Sequence, residues 1–337
     1  MSSADAVAAV LWVGVTLYAV FGGADFGSGS WALLAGGGER GTRARALMDW
    51  AIGPVWEANH VWLIFMLVTL WTAFPEAFAS VMSTLFIPLS LAALGIVLRG
   101  AGFAFHRLAE RRSGRRLADA AFAVSSVLTP FFMGTVVGAV ASGRVPVGNA
   151  EGDPVTSWLN AVSLLLGALF VAAGAYLAAV FLVSDARRFG DRELVGYFAT
   201  RALAAALVAG ALAVAGIFVL RDDARYIYDG LTSEGLPLVL VSLACGLGAL
   251  VLLWRGVRRG VRPLAGGAVV AVIWGWGAAQ YPYLLPQTLT IEDGAGASET
   301  LTAVLVVFGI AVVVVLPALG LLFILDQRSL LEEEAER

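Results

Sequence analysis

Apolar residues neither alternate nor keep to one helical stripe in this chain. They come in long runs, at about 6–35, 50–73, 76–105, 117–141, 156–184, 198–220, 236–254, 264–281 and 300–325. About 20 apolar residues in a helix span roughly 30 Å, the thickness of a bilayer's hydrocarbon core. The pattern therefore predicts an all-α polytopic integral membrane protein with nine transmembrane helices. A polar, Gly/Pro-rich stretch from Gly143 to Pro154 separates two four-helix halves, 1–145 and 152–283. The remainder, 284–337, carries an acidic outer connection, the ninth helix and a tail. No internal sequence repeat is strong enough to prove that the halves arose by duplication.

Polar residues break the pattern most sharply in Ile52-Gly53-Pro54-Val55-Trp56-Glu57-Ala58-Asn59-His60-Val61-Trp62. On a helix Glu57 and His60 share a face, whereas Asn59 and Trp62 lie together on another side. Pro54 either opens this helix, so that the helix dipole favours the Glu57 anion, or sits inside it and frees the carbonyl of Trp50. The first helix carries a second carboxylate, Asp25, within Gly22-Gly23-Ala24-Asp25-Phe26-Gly27-Ser28-Gly29. Gly23 and Gly27 form a small-xxx-small pair that admits a neighbouring helix, as do Gly134 and Gly138. Counting residues from the helix ends puts Asp25 and Glu57 in the same half of the membrane. Pro75 opens the third helix, Pro88 is expected to bend it, and Arg99 lies near its end.

Charge supplies a direction. All 22 basic residues are arginine, and apart from Arg99 eighteen fall after helices 1, 3, 5 and 7 and in the tail, against Arg144, Arg221 and Arg225 on the other side. The positive-inside rule then places the N-terminus outside and the C-terminus in the cytoplasm. The mean hydropathy of +0.84 and a charged content of 14% confirm the membrane class. A net charge of −3 gives no reason to expect a nucleic-acid partner. The single cysteine, Cys245, excludes an internal disulfide, and no Cys-x-x-Cys-His is present for covalent haem attachment. The first apolar run is too long for a cleaved leader and reads as a retained helix.

Two intramembrane carboxylates at similar depth suit a proton or cation path, since ionisable groups there are costly. The alternative is a pair of packing groups satisfied by serine, tryptophan or backbone. His60 could ligate haem, but the other histidine, His106, lies beside a basic cytoplasmic loop. A structural His60 near Glu57 fits better, and no metal or cofactor site is expected in the chain alone. Arg99 either pairs with a carboxylate or snorkels to the surface. Asn59 and Trp56 are possible neighbours of the carboxylates. The glycine patch opens no strand-to-helix turn, so it is not a phosphate cradle. Two helical halves with buried carboxylates also fit an ion-coupled secondary transporter, or a purely structural subunit.

Gly23-Ala24-Asp25-Phe26-Gly27, the run Ile52 to Trp62, Phe74-Pro75 and Leu98-Arg99-Gly100 together resemble subunit II of cytochrome bd-type quinol oxidases, a family that includes the cyanide-insensitive oxidases. The second half resembles the family in helix count and in Tyr176, Pro282, Pro286 and the connection from Leu289 to Leu301. The resemblance implies a heterodimer in a bacterial cytoplasmic membrane that oxidises quinol and reduces dioxygen to water. It implies haem b and haem d in subunit I, contacts with membrane lipids, and room for small accessory subunits. It also implies proton delivery from the cytoplasm through the carboxylates matching Glu57 and Asp25.

Overall fold

The computed structural model describes residues 2–108, 112–257 and 259–327; of the side chains within these ranges, those at 52–58, 103–104, 106–108, 112–113, 115–117, 316, 319 and 322–327 lie outside the description. Trp56 and Glu57 are thus placed by their backbone alone.

The chain enters through α1 (Ser3–Leu17), whose start is fixed by a capping box: Ser2 Oγ accepts from Asp5 N at 3.1 Å and Asp5 Oδ2 accepts from Ser2 N at 3.0 Å. A π-helical turn, Tyr18–Gly22, joins it to α2 (Gly23–Leu33), and together they make one span. α3 (Glu39–Ala73) is much longer than the expected 50–73. Its first turns stay helical because Ala44, Leu47 and Met48 bury against Leu182, Val183 and Phe198. Pro54 is therefore inside the helix, and the reading in which it opens the helix, with a dipole favouring Glu57, is corrected.

Next come α4 (Pro75–Thr84) and α5 (Phe86–Leu108), and here the expected single helix with a bend at Pro88 is also corrected. Pro88 has no N–H for the carbonyl of Thr84, so the chain breaks at Leu85 and Pro88 falls in the first turn of a new helix. The direction turns by 118° between Asn59–Ala73 and α4. α4 is tied to the inter-half loop: Gly148 N donates to Ser80 Oγ at 2.9 Å and Ala150 N to Ser83 Oγ at 2.8 Å.

α6 (Arg112–Ala141) leads through that loop to α7 (Ala161–Arg188), capped by Asn160, and α8 (Arg192–Asp223), capped by Asp191. The short α9 (Arg225–Thr232) precedes α10 (Leu236–Trp254) and α11 (Val261–Gln280). An antiparallel pair, β1 (Tyr283–Leu285) and β2 (Leu289–Thr290), leads into α12 (Ser298–Gln327). The molecule is an all-α membrane protein apart from that hairpin. Among the described residues seven helices are long and apolar enough to cross a bilayer, eight if Asn59–Ala73 and α4 count as one bent span. Nine are not shown directly, because the break at Leu85 leaves Phe86–Gly102 a shorter apolar helix.

α7 is the axis of the molecule, with 67% of its apolar window buried against 6% for α12. Small residues let the backbones meet around it. A Cβ on Gly27 would stand 2.0 Å from the carbonyl oxygen of Gly174, and one on Gly138 2.4 Å from Ser163 Cα. α5 and α6 run antiparallel, with Gly95 against Thr129 and Gly102 against Phe122.

Candidate functional site

The two carboxylates of the sequence reading are related through the antiparallel packing of the first span on α3. Gly14 lies against Met66, and seven residues further along the carbonyl of Phe21 accepts from Asn59 Nδ2 at 3.3 Å. Continued by two residues, that register sets the backbone of Glu57 level with Gly23, about 3 Å of helix rise from the level of Asp25. The contact at Phe21 falls inside the π-helical turn, whose wider winding disturbs the usual backbone bonding. Asn59, only 3% exposed, holds one of its carbonyls.

Asp25 is not a lone carboxylate. Arg99 reaches it from α5, donating through Nη2 to Oδ1 at 2.5 Å and to the backbone carbonyl at 2.9 Å. Nη1 donates to Ser126 Oγ on α6. The guanidinium carbon lies 4.9 Å from the ring centre of Phe26 and 4.2 Å from that of Phe122, so aromatic faces cover the cation where protein oxygens do not. At 1% exposure Arg99 does not snorkel, because α5 continues nine residues beyond it to Leu108. Both ions are desolvated, so each depends on the other.

Hydroxyls extend this polar interior. Ser28, Ser125, Ser126 and Thr129 are buried, and among the described residues Ser28 Oγ, Thr129 Oγ1 and Arg99 Nε have no hydrogen-bond partner. Buried polar atoms of this kind are the usual hosts of internal water. Glycine makes the space: a Cβ on Gly29 would overlap Ser126 Oγ and crowd Arg99 Nη1. Sequence reasoning missed these hydroxyls, although Ser125, Ser126 and Thr129 recur at helical spacing in an otherwise apolar run.

Of the sequence-predicted residues, the structure joins Asp25 to Arg99, and Asn59 to the π-helical turn of the span that bears Asp25. His60 is half-buried and has a partner. The side chains of Glu57 and Trp56 lie outside the described residues.

The residues do not fit a two-histidine haem. His60 lies level with Val20 in the register above, whereas the backbone of His106 is seven residues beyond Arg99 towards the other end of the bundle. The two are separated by on the order of 15 Å along the axis, and one iron needs both within bonding distance. Among the described residues no group of three His, Cys, Asp or Glu side chains could hold a metal ion.

Residues 4–325 match the family described as cytochrome bd terminal oxidase subunit II. A Bacillus subtilis (strain 168) protein described as a candidate cytochrome bd menaquinol oxidase subunit II is 22% identical, over 98% of this chain and 99% of its own length. Subunit 2 of the Escherichia coli (strain K12) cytochrome bd-I ubiquinol oxidase is 28% identical over 64% of this chain and 58% of its own. In fold, the chain is similar to a chain in the structure of the bd oxidase from Geobacillus thermodenitrificans, with a TM-score of 0.74 over 96% of this chain and 98% of that one, at 24% identity.

Proposed function

This chain belongs to the cytochrome bd terminal oxidase subunit II family, a subunit of a quinol-oxidising oxidoreductase complex, and from that premise we propose that its own chemical task is to deliver protons through Glu57 and Asp25. Haem b and haem d reside in the partner subunit I, where, when bound, they carry electrons from quinol to dioxygen. The N-terminus faces outward and the C-terminus the cytoplasm of a bacterial inner membrane. Taking α3 and α5 each as a crossing then gives nine crossings and keeps the arginine-rich connections on one side.

The observation that carries the reading is the helix register, which brings the Glu57 backbone within about 3 Å of rise of Asp25. Dioxygen reduction consumes protons, and a buried site needs a polar route through a low-dielectric interior. In that register Glu57 stands about 3 Å farther from the cytoplasm than Asp25, which corrects the expectation that it lies nearer, and it is proposed as the entry group because Asp25 is already paired with Arg99. Asp25 is the next member, and Arg99 balances its charge, so the group that exchanges protons with fewest constraints is Glu57. Asn59 keeps the first span in register with α3. His60 and Trp56 lie close to Glu57 along the same helix.

The test is Glu57→Gln in the assembled complex. It keeps the side chain's size and hydrogen bonds and removes its proton exchange. Quinol-dependent oxygen uptake should fall by on the order of a hundredfold, the low end of the range general acid–base groups contribute, with the haem spectrum unchanged. Glu57→Asp should retain much of the rate. An assembled Glu57→Gln complex that consumes oxygen at the unmodified rate would make Glu57 structural and end the proposal.

A further inference from the structure

At the membrane face where α2 ends and α3 begins, several surface cations are already matched. Arg43 donates to Asp191 and Glu193, Arg262 to Asp185, and Arg187 to the carbonyl of Val257. Arg40 and Arg201 differ. Both guanidinium groups stack on the Tyr197 ring, with their carbons 5.2 and 3.3 Å from its centre, and each feels the other's charge. Among the described residues neither makes an ion pair with a carboxylate. Arg201 donates only along its own helix, to the Tyr197 carbonyl at 3.3 Å.

Two further donors at the same place lack acceptors. Arg201 Nε and the Tyr197 hydroxyl are both buried without a hydrogen-bond partner among the described residues. A solvated arginine needs no anion, but two like charges on one ring, with buried donors beside them, describe a place made for an acceptor with several oxygens. Arg201 is nine residues into α8, about 13 Å of helix. It stands 5.8 Å from the Trp31 ring at the end of α2 and beside the first turn of α3, the level at which spans leave the bilayer. Just beyond Trp31 in the chain, at the end of α2, Leu33 and Leu34 are 48% and 64% exposed. Charge for a phosphate and apolar surface for acyl chains thus occur at the same end of α2.

We propose that Arg40, Arg201 and the Tyr197 hydroxyl bind the phosphate group of an anionic phospholipid, with Leu33 and Leu34 against its chains. Basic pockets between helices at a membrane face recognise anionic headgroups in this way. The lipid ties the α2–α3 turn to α8, a junction that among the described residues is bridged by ion pairs only through Arg43.

The test uses the delipidated complex containing this chain, titrated with dioleoyl phosphatidylglycerol, with dioleoyl phosphatidylcholine or with inorganic phosphate. Bound lipid is counted by native mass spectrometry and the unfolding temperature is followed. Phosphatidylglycerol should bind and raise the unfolding temperature, and phosphatidylcholine and inorganic phosphate should do neither. Arg40→Gln and Arg201→Gln should each weaken phosphatidylglycerol binding by about fivefold, while the exposed control Arg255→Gln leaves it unchanged. Equal retention by the Arg40 variant and the unmodified complex overturns the site, as does equal binding of the zwitterionic lipid. Full stabilisation by inorganic phosphate alone overturns the lipid assignment. Should Arg201→Gln not assemble, Arg40→Gln, an exposed side chain, decides the matter.

Discussion

Gly27 and Gly210 are both glycines inside apolar helices, and their surroundings are opposites. A methyl group on Gly27 would run into the backbone of Gly174, while one on Gly210 would meet nothing within 4 Å. The same division separates the region around α2, α5, α6 and α7 from the outer helices α8, α10 and α12. Inside, glycines allow backbone contact and Asp25, Arg99, Ser126 and Asn59 tie helix to helix. Outside, Leu207, Val208, Leu243 and Val313 are exposed on helices whose apolar windows are 17%, 11% and 6% buried. In lipid no hydrophobic force holds helices together, so close packing and polar links must do so. The Asp25–Arg99 pair sits in the region that packing makes rigid.

Three substitutions should break the inner region, in falling order. Gly27→Ala should have the largest effect, well beyond the roughly 1–3 kcal/mol of ordinary overpacking, because the clash is with backbone that cannot rotate away. The yield of assembled complex on size exclusion should collapse. Gly23→Ala should be tolerated, since its nearest contact is Gly174 Cα at 3.8 Å. Equal damage from both would mean that the two helices approach along their whole length rather than at one point.

Arg99→Gln comes next, because it leaves the Asp25 carboxylate buried without its cation, at a cost of about 3–5 kcal/mol. Asp25→Asn added to it should restore a large part of the lost thermal stability, since the uncompensated charge is gone. A double variant as unstable as the sum of the singles would show that the two residues act independently. Asn59→Leu should cost less, about 0.5–1.5 kcal/mol for one hydrogen bond. The unfolding temperature of the complex measures each.

Much of this division can be read from the sequence, and the parts that cannot have specific causes. The apolar run expected at 236–254 is α10 residue for residue, because Gly235 and Pro237 mark its start and Arg255 its end. The start of α3 was hidden: its first turns are charged, and only their burial against α7 and α8 keeps them helical. Asp25 and Glu57 stand out because carboxylates are rare in lipid. The partner of Arg99 could not be chosen, since distance from a helix end depends on where the helix stops, and α5 runs on to Leu108. Ser126 and Thr129 were hidden for another reason. Hydroxyls are common in membrane helices because they can bond their own helix, as Ser126 also does to the Phe122 carbonyl at 2.6 Å.

The smallest effect belongs to the outer helices, and it tests the comparison from the other side. Gly210→Ala on α8 and Gly246→Ala on α10 add a methyl group where nothing lies within 4 Å, in backbone that is already helical. Alanine restricts the unfolded chain and suits a helix better than glycine, so each should be neutral or stabilising by up to about 1 kcal/mol. Complex yield and unfolding temperature should stay level or rise slightly. The same substitution that disrupts assembly at Gly27 would then be harmless at Gly210, and the difference would lie wholly in what faces the glycine. A marked loss of assembled complex at either outer position would mean that another protein chain, rather than lipid, lies against that face.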